Sequence, residues 1–317
     1  MSQPINIQAT VPSDMDEQRF DQIAAQLFPD YSRSRLQSWI KSGELTADGK
    51  VCKTKDKLFS GTVLALQATL EEEISLLPED IPLDIVYEDD DLIVLNKPAN
   101  MVVHPAAGNP NGTLLNALLH HAPSLAQLPR CGIVHRLDKD TTGIMVVAKT
   151  LPAHASLVEQ LQSRSVSREY EAVTVGVMTG GGTVDKAMGR HPKDRKKMAV
   201  LEFGGKRAIT HYRVAHRFKH HTHVYVSLET GRTHQIRVHM AHIKYPLVGD
   251  ATYAGRPRVP RQAEQILVDF LQQFPRQALH ARRLKLVHPR TGQSMSWSVP
   301  TPDDFIELLD MLQQFDD

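Results

Sequence analysis

Residues 132 to 143 read Gly-Ile-Val-His-Arg-Leu-Asp-Lys-Asp-Thr-Thr-Gly, and a carboxylate that could react, Asp138, stands where an apolar run gives way to turn residues. A second apolar run, Ile144 to Ala148, follows directly. A carboxylate at the junction of a strand and a turn is held by a rigid scaffold and is still open to a ligand. Aspartate in a turn often only bonds the backbone of that turn. The stretch therefore predicts a candidate site at Asp138 and leaves a purely local role open.

Three further blocks of sequence accompany this stretch in a fixed order. They are Asn96-Lys97-Pro98 with Val103-His104-Pro105, then Arg168-Glu169-Tyr170, and finally Gly-Arg-Thr-His-Gln-Ile-Arg-Val-His at residues 231 to 239. Together with His135 to Gly143 they resemble the signature of the RluA family of RNA pseudouridine synthases. The flanking sequence is similar to family members that act on large-subunit ribosomal RNA. The resemblance spans residues 81 to 299, and residues 19 to 66 resemble the S4 RNA-binding module that precedes the catalytic domain in many relatives.

This resemblance implies that specific uridines are isomerised in place, with neither a cofactor nor a metal. The bond from uracil N1 to ribose C1′ breaks, the uracil turns, and C5 bonds to C1′ before it loses its proton. Asp138 would supply the carboxylate, either as the nucleophile on C1′ or as the base on C2′ through a glycal. The residues leave these two routes open.

The family pattern also implies roles for other side chains. Arg237 would hold Asp138 with both nitrogens of its fork and keep it ionised, although a surface arginine is the plainer interpretation. Tyr170 would stack on the uracil and take part in removing the C5 proton, or it would simply pack in a core. Arg136 would brace the gap left by a flipped uridine, or contact a phosphate. The other predicted RNA-binding residues are His135, Lys97, His104, Arg232, Arg33, Arg35 and Lys41.

Length and composition agree with such an enzyme without selecting it. The 317 residues, 41% of them hydrophobic, can bury two cores. Pro78 to Pro82 is the expected boundary between an S4-like α/β module at residues 18–78 and a catalytic domain at residues 79–317. Two cysteines cannot build a disulfide framework, and the sequence predicts neither a secretory signal nor a membrane span. We therefore expect a cytoplasmic monomer whose partner is ribosomal RNA, in precursors of the large subunit.

The net charge of +1 hides a segregation of charges along the chain. Between Leu58 and Asn96 there is no Lys or Arg, whereas two other stretches are strongly basic. Basic patches of this kind are typical of phosphate binding, although a basic run is commonly just a solvated face. The first stretch contains Arg33, Arg35, Lys41, Lys50, Lys53, Lys55 and Lys57, and the second contains Lys186, Arg190, Lys193, Arg195, Lys196, Lys197, Lys206 and Arg207.

The apolar spacing of the amino-terminal module predicts two helices and two short strands. The first helix covers residues 19 to 28, and the second is capped by Ser32 and ends at Gly43. Extended segments are predicted at residues 50 to 52 and 62 to 66. Trp39 lies on the apolar face of the second helix, so we expect it in the core and not as a platform for bases.

In the catalytic region, strand patterns outnumber helix patterns and do not alternate regularly with them. This favours an α+β domain with a large, mostly antiparallel mixed sheet over a doubly wound one. Arg256 to Phe274 predict a basic loop followed by a helix. Helices are also predicted at residues 114 to 121, after Thr150 and after Thr301, and strands at residues 83–87, 92–95, 144–148, 169–175, 208–214, 224–228, 284–287 and 295–299.

Three other functions compete with that of a pseudouridine synthase. A kinase is disfavoured because Leu137 disturbs the spacing of a His-Arg-Asp loop and Gly143 occupies the position of its asparagine. A metal hydrolase is disfavoured because the 16 histidines form no recognisable ligand pattern. The serious rival is a catalytically idle RNA-binding protein that keeps the fold, and the presence of Asp138, Tyr170 and Arg237 argues against it.

Overall fold

The computed structural model describes residues 3–31, 33–70, 77–106, 108–194, 196–255 and 264–316. It separates into two compact units, Met1–Ser75 and Leu76–Asp317, each with its own hydrophobic core. The predicted cap Ser32, the basic residue Arg195 and the basic loop predicted from Arg256 onwards lie outside the described residues, apart from the helix that follows this loop.

The first unit packs two helices against a small antiparallel sheet. Its elements are β1 (Gln3–Thr10), α1 (Phe20–Leu27), α2 (Arg33–Ser42), β2 (Leu45–Ala47) and β3 (Val63–Leu70), and the strand order is β1-β3-β2. Both predicted helices are confirmed because their apolar stripes are buried, and Trp39 is buried with them. The strand predicted at residues 50 to 52 is wrong. Leu45–Ala47 pairs with β3 instead, and Lys50 only forms a single bridge to Ala47 across the turn.

The second unit is built on one large sheet. The strands of this unit are β4 (Asp84–Glu88), β5 (Leu92–Lys97), β6 (Thr142–Ala148), β7 (Ser167–Val175), β8 (Gly182–Asp185), β9 (Met188–Arg190), β10 (Met198–Val200), β11 (Ile209–Arg217), β12 (His221–Leu228), β13 (Leu279–Val287) and β14 (Ser294–Ser298). Within the described residues the strand order of the large sheet is β4-β5-β6-β13-β7-β12-β11-β8, with β14 paired to β13, and every pairing except β6 with β13 is antiparallel. The predicted α+β class with a mostly antiparallel sheet is confirmed.

Helices flank this sheet, and β9 and β10 form a separate two-stranded ribbon. The helices are α3 (Leu114–His121), α4 (Leu151–Gln162), α5 (Gln235–His242), α6 (Gln265–Gln273) and α7 (Asp303–Gln314). The helices predicted at residues 114 to 121, after Thr150 and after Thr301 are confirmed, as is the helix after the basic loop. In the described ranges, no helix combines the length and apolar character that crossing a bilayer requires.

The parallel pair at the centre of the sheet fixes the loop that carries Asp138. All residues of β6 are buried, as expected for a strand covered on both faces. Gly143 pairs with Ala281 of β13 and has a φ of +117°. A Cβ at Gly143 would lie 2.2 Å from the Ala281 carbonyl oxygen, so only glycine allows the two strands to approach this closely. The loop before β6 is thereby anchored at its carboxyl end.

The turn between β4 and β5 is tied to the end of β13 by a partly exposed carboxylate. Asp89 accepts hydrogen bonds from the Tyr87 hydroxyl at 2.6 Å and from the backbone N–H groups of Asp91 and Leu92 at 2.8 Å. His288 Nε2 lies 2.8 Å from the same carboxylate. Burial raises the pKa of Asp89, but these hydrogen bonds outweigh burial and lower it to about 2.

We expect Asp89→Asn to destabilise the fold in a pH-dependent way. The folded pKa of about 2 lies below the ordinary 3.8, so the charged group stabilises the protein above pH 3.8 and this contribution is lost as pH falls through 2. Urea unfolding at pH 7 should give a loss of about 1 to 2 kcal/mol. This difference from wild type should shrink towards acid pH. Asp90→Asn is the matched control because Asp90 is exposed; a loss for Asp89→Asn that stays constant down to pH 2 would contradict the assignment.

Candidate active site

An open cavity of about 840 Å³ lies in the second unit, where the Asp138 loop, β7 and the start of α5 meet. Its walls bring together parts of the sequence from His104 to Leu279, as expected for a site assembled on a sheet. Most of the site residues predicted in this unit line it, including all three predicted catalytic residues. The predicted residues around the cavity are His104, His135, Arg136, Asp138, Tyr170, Arg232 and Arg237.

Asp138 faces this cavity from a loop. Ile133 forms a single bridge to Val147, so the apolar run before Asp138 is extended but is not a regular strand. The Asp138 side chain is 16% exposed, and its Oδ2 accepts a hydrogen bond from Arg237 Nη1 at 3.1 Å. The turn is closed by the Asp138 backbone oxygen, which accepts from the Thr141 N–H at 3.1 Å. The carboxylate is therefore directed at the cavity and is not used to build its own turn.

Arg237 is held mainly by an aspartate that the sequence analysis did not identify. Its Nε and Nη2 donate to the two oxygens of Asp250 at 2.7 and 2.9 Å, so the bidentate partner is Asp250. The expected bidentate pair with Asp138 is thus corrected to one hydrogen bond. Asp250 also accepts the N–H groups of Thr252 and Tyr253 at 3.0 Å. Burial lowers the pKa of Arg237, but the hydrogen bonds and charges of Asp250 and Asp138 outweigh it and raise that pKa above its ordinary value.

His234 is a second functional candidate that the sequence analysis did not single out. It begins α5 with a left-handed backbone, φ +57°, and its Nδ1 lies 2.7 Å from the Tyr253 hydroxyl. Its Nε2 lies 3.8 Å from Asp138 Oδ1, beyond hydrogen-bond distance. Burial lowers the pKa of His234, although the charge of Asp138 opposes this. The signal that could have identified His234 is its position inside the block at residues 231 to 239, which also contains Arg237.

Tyr170 lies in the middle of the sheet and also reaches the cavity. It is 6% exposed and lies on β7 between Val226 of β12 and Ala281 of β13. Burial raises the pKa of its hydroxyl, with the charge of Arg168 opposing this shift and that of Asp138 adding to it. Tyr170 is therefore a neutral phenol at neutral pH. Tyr170 therefore packs in the core and also lines the cavity, so both interpretations of this residue hold.

The other predicted residues at the cavity differ in their exposure and in the hydrogen bonds that their side chains form. Arg136 and Arg232 are exposed at the cavity. His135 Nε2 accepts the Val146 N–H at 3.1 Å. Burial, and then the charge of Arg168, lower the pKa of His135 to about 3, so the neutral ring supports the backbone of β6. Burial, together with nearby arginine charges, also lowers the pKa of His104.

The structure corrects the assignment of Lys97 to RNA binding. Lys97 is fully buried and does not line the cavity. Its Nζ donates to the backbone oxygens of Pro98, Met101 and Lys139 at 2.6, 3.0 and 2.9 Å. Burial lowers the pKa of Lys97 to about 7, opposed by the charges of Asp140 and Asp138. Three carbonyl acceptors match the three hydrogens of an ammonium group, and one of them belongs to Lys139, next to Asp138, so Lys97 braces the loop that carries Asp138.

The predicted RNA-binding residues of the first unit share α2. Arg33 Nη2 lies 3.3 Å from Asp21 Oδ2, and the Arg33 side chain remains 57% exposed. Lys41 is also exposed. The guanidinium of Arg35 lies 5.9 Å from the centre of the Trp39 ring. One helix thus presents all three cationic side chains.

Comparisons with known proteins identify the family of this chain. The profile of the family described as RNA pseudouridylate synthase matches residues 91–242. "Ribosomal large subunit pseudouridine synthase D" of Pseudomonas aeruginosa is 60% identical over 99% of this chain and 98% of its own length. The protein of that name in Escherichia coli K12 is 55% identical over 99% of this chain and 96% of its own. The structure titled "Human RNA Pseudouridylate Synthase Domain Containing 4" superposes with a TM-score of 0.57 at 26% identity, covering 73% of this chain and 93% of that one. The chain therefore belongs to the RNA pseudouridylate synthase family and is an RNA pseudouridine synthase.

Proposed function

We propose that this protein isomerises specific uridines of large-subunit (23S) ribosomal RNA to pseudouridine, with Asp138 as the catalytic carboxylate. The observation that carries the proposal is the contact between Asp138 and Arg237 at 3.1 Å on the wall of a cavity that also contains Tyr170. The names of the relatives that match the full chain supply the substrate. A catalytically idle RNA-binding protein would have no use for this arrangement.

The arrangement at Asp138 suits an attack on the sugar. Arg237 occupies Oδ2, while Oδ1 has no donor within hydrogen-bond distance among the described residues. The free oxygen can form a bond to C1′, or remove the C2′ proton on the glycal route. The bond from N1 to C1′ breaks, the uracil turns, and C5 bonds to C1′ and then loses its proton. The atoms are conserved and no electrons are exchanged with another molecule, so the reaction needs no cofactor.

The target uridine has to leave its helix or loop before C1′ can reach Asp138, at a cost of a few kcal/mol. A cavity of about 840 Å³ has room for one nucleotide. In this proposal Tyr170 contacts the uracil from the floor, and Arg136 at the mouth braces the RNA that the uridine leaves. Arg232 and His104 complete the wall that receives the nucleotide. Action in the cytoplasm on precursors of the large subunit, by a monomer, is part of the same proposal.

Mapping of pseudouridine in ribosomal RNA tests the substrate. RNA from cells with and without this gene should differ at a small set of large-subunit uridines, and a plasmid copy of the wild-type gene should restore them. A gene for Asp138→Asn is the matched control and should restore none. Identical maps in the presence and absence of the gene would overturn the proposed substrate.

The basic side chains of α2 should contribute to RNA affinity and not to chemistry. We expect Arg33→Gln/Arg35→Gln/Lys41→Gln to weaken RNA binding and to flatten the plot of log K against log salt by about one unit per lost phosphate contact. The fold should persist because Asp21 keeps Arg19 at 3.0 Å and Gln37 at 2.8 Å. The single-turnover rate at saturating protein should stay unchanged. Lys285→Gln, at an exposed position of β13, is the control, and an unchanged salt slope in the triple variant would count against α2 as an RNA contact.

A further inference from the structure

One buried arginine at the cavity, Arg168, has no side-chain partner among the described residues. It is 8% exposed, lines the cavity, and its Nε makes no hydrogen bond. No carboxylate of the described residues forms an ion pair with it. Other buried arginines are treated differently, since Arg237 is paired with Asp250 and Arg276 with Asp304, at 2.7 and 2.6 Å. A buried charge without a partner costs folding free energy, so its retention points to a ligand that it meets only in the occupied site.

The position of the Arg168 guanidinium depends on its strand and on the absence of a side chain at Gly231. Arg168 and Tyr170 are two residues apart on β7 and therefore point to the same face of the sheet. A Cβ at Gly231 would lie 2.6 Å from Arg168 Nη1, so any side chain at this position would displace the guanidinium. Gly231 belongs to the same block, residues 231 to 239, as Arg237. This block therefore supplies the partner of Asp138 and also leaves space for Arg168. The cation lies beside the residue expected to contact the uracil.

The chemistry of the proposed reaction supplies a matching anion. When the bond from N1 to C1′ breaks, its electron pair stays with the uracil, and the negative charge spreads over N1, O2 and O4. Asp138 itself is negative, so it cannot stabilise this charge. A phosphate contact is the alternative role for Arg168, and the salt dependence of RNA binding separates the two roles. Arg168 lines the cavity two positions along β7 from Tyr170, the residue proposed to contact the uracil, so its charge is placed to stabilise the detached ring.

We propose that Arg168 is a catalytic residue that stabilises the detached uracil anion by donating hydrogen bonds to its oxygens while the ring turns. This inference rests on the proposed isomerisation of uridine. The negative charge appears when N1 leaves C1′ and disappears when C5 has bonded to C1′ and the C5 proton has been transferred to N1 through solvent or a side chain. A guanidinium whose Nε is already buried, and which has no competing acceptor among the described residues, needs little reorganisation at the moment of cleavage.

The test compares Arg168→Met and Arg168→Lys with wild type in single-turnover conversion of uridine in a ribosomal RNA fragment. We expect Arg168→Met to lower the rate by about 10²- to 10³-fold, as for other groups that stabilise a developing anion. The affinity for the RNA should remain within about threefold, and its salt dependence should not change, because no phosphate contact is lost. Arg168→Lys, which keeps the charge without the fork, should be intermediate. Arg283→Met, at an exposed position of β13, is the control and should react like wild type.

A second substrate tests the charge directly. Fluorine at C5 withdraws electrons and stabilises a uracil anion by itself. 5-Fluorouridine has no C5 proton to lose, so its reaction is followed only as loss of 5-fluorouridine from the RNA once C5 has bonded to C1′. This loss should show a much smaller defect in Arg168→Met, relative to wild type, than the conversion of uridine RNA. The melting temperature of the free Arg168→Met protein should be unchanged or higher, because a buried unpaired charge is removed. If that variant does not fold, the same pair of substrates is compared in Arg168→Lys.

Three results would overturn the inference. They are a wild-type rate in Arg168→Met, weaker RNA binding with a reduced salt slope and an unchanged rate, or equal defects on uridine and 5-fluorouridine. The second result would assign Arg168 to a phosphate. A wild-type protein that converts no uridine would instead overturn the proposed function, and the inference with it.

Discussion

Asp138→Asn should lower the rate of uridine isomerisation by at least about 10⁴-fold, the size of loss seen when a residue that attacks the substrate is removed. The asparagine is nearly isosteric and can still accept a hydrogen bond from Arg237. An amide oxygen is neither a useful nucleophile towards C1′ nor a base for C2′, so both routes left open for Asp138 are blocked.

Binding and folding should survive this substitution. The Asp138 side chain is 16% exposed, and its one hydrogen bond to the protein goes to an arginine that keeps Asp250. Rates are measured in single turnover with excess protein, and RNA affinity and the urea midpoint are measured on the same samples. Asp310→Asn, at an exposed position of α7, is the matched control and should stay within about threefold of the wild-type rate, as for surface changes outside a site. A rate for Asp138→Asn near that of Asp310→Asn would refute the role of the carboxylate.

Arg237→Met should cost both stability and activity. The Asp250 side chain is 1% exposed, so the loss of the arginine leaves a buried charge without its main partner. Breaking such a pair from one side typically costs about 3 to 5 kcal/mol of the free energy of unfolding. Asp138 also loses the donor that orients it, and we expect the isomerisation rate to fall by at least about 10³-fold.

A double variant separates these two effects. Arg237→Met/Asp250→Asn removes both charges, and the new amide oxygen can keep the N–H groups of Thr252 and Tyr253. Urea unfolding should show that most of the stability returns, whereas the activity should stay lost. Asp250→Asn alone completes the cycle of variants. A double variant that regains activity, or that is as unstable as Arg237→Met, would contradict the arrangement described for Arg237.

The sequence predicted those elements whose signal is local. The uninterrupted apolar run Ile144–Ala148 predicts a strand buried on both faces, and the capping threonine at 150 predicts the start of α4; both are found. β1 was missed although Ile5, Ile7 and Ala9 alternate with polar residues, the pattern of a strand with one buried face. The short strands β8, β9 and β10 lie in a basic stretch with few apolar residues; β9 and β10 pair with each other, and β8 pairs with β11, more than 20 residues later in the chain.

At the site, motifs identified the residues but not their contacts. The blocks around Asp138, Tyr170 and Arg237 were recognisable, and the sheet brings all three to one cavity. The partnership of Arg237 with Asp250 depends on how the chain returns after α5, which no residue pattern reports. Lys97 was assigned to RNA from its place in the block Asn96-Lys97-Pro98, whereas three backbone carbonyls hold it inside. Arg168 was visible only as the neighbour of Tyr170, because an unpaired buried charge is a property of the folded chain.

Release of tritium from ribosomal RNA labelled as [5-³H]uridine tests the central claim most directly, since the C5 hydrogen is lost only when C5 has bonded to C1′. The purified wild-type protein should release tritium into water until a defined small number of uridines per RNA has reacted, and Asp138→Asn should release none above background. Release by Asp138→Asn at the wild-type rate would contradict the account, and so would the absence of release by a wild-type protein that binds the same RNA.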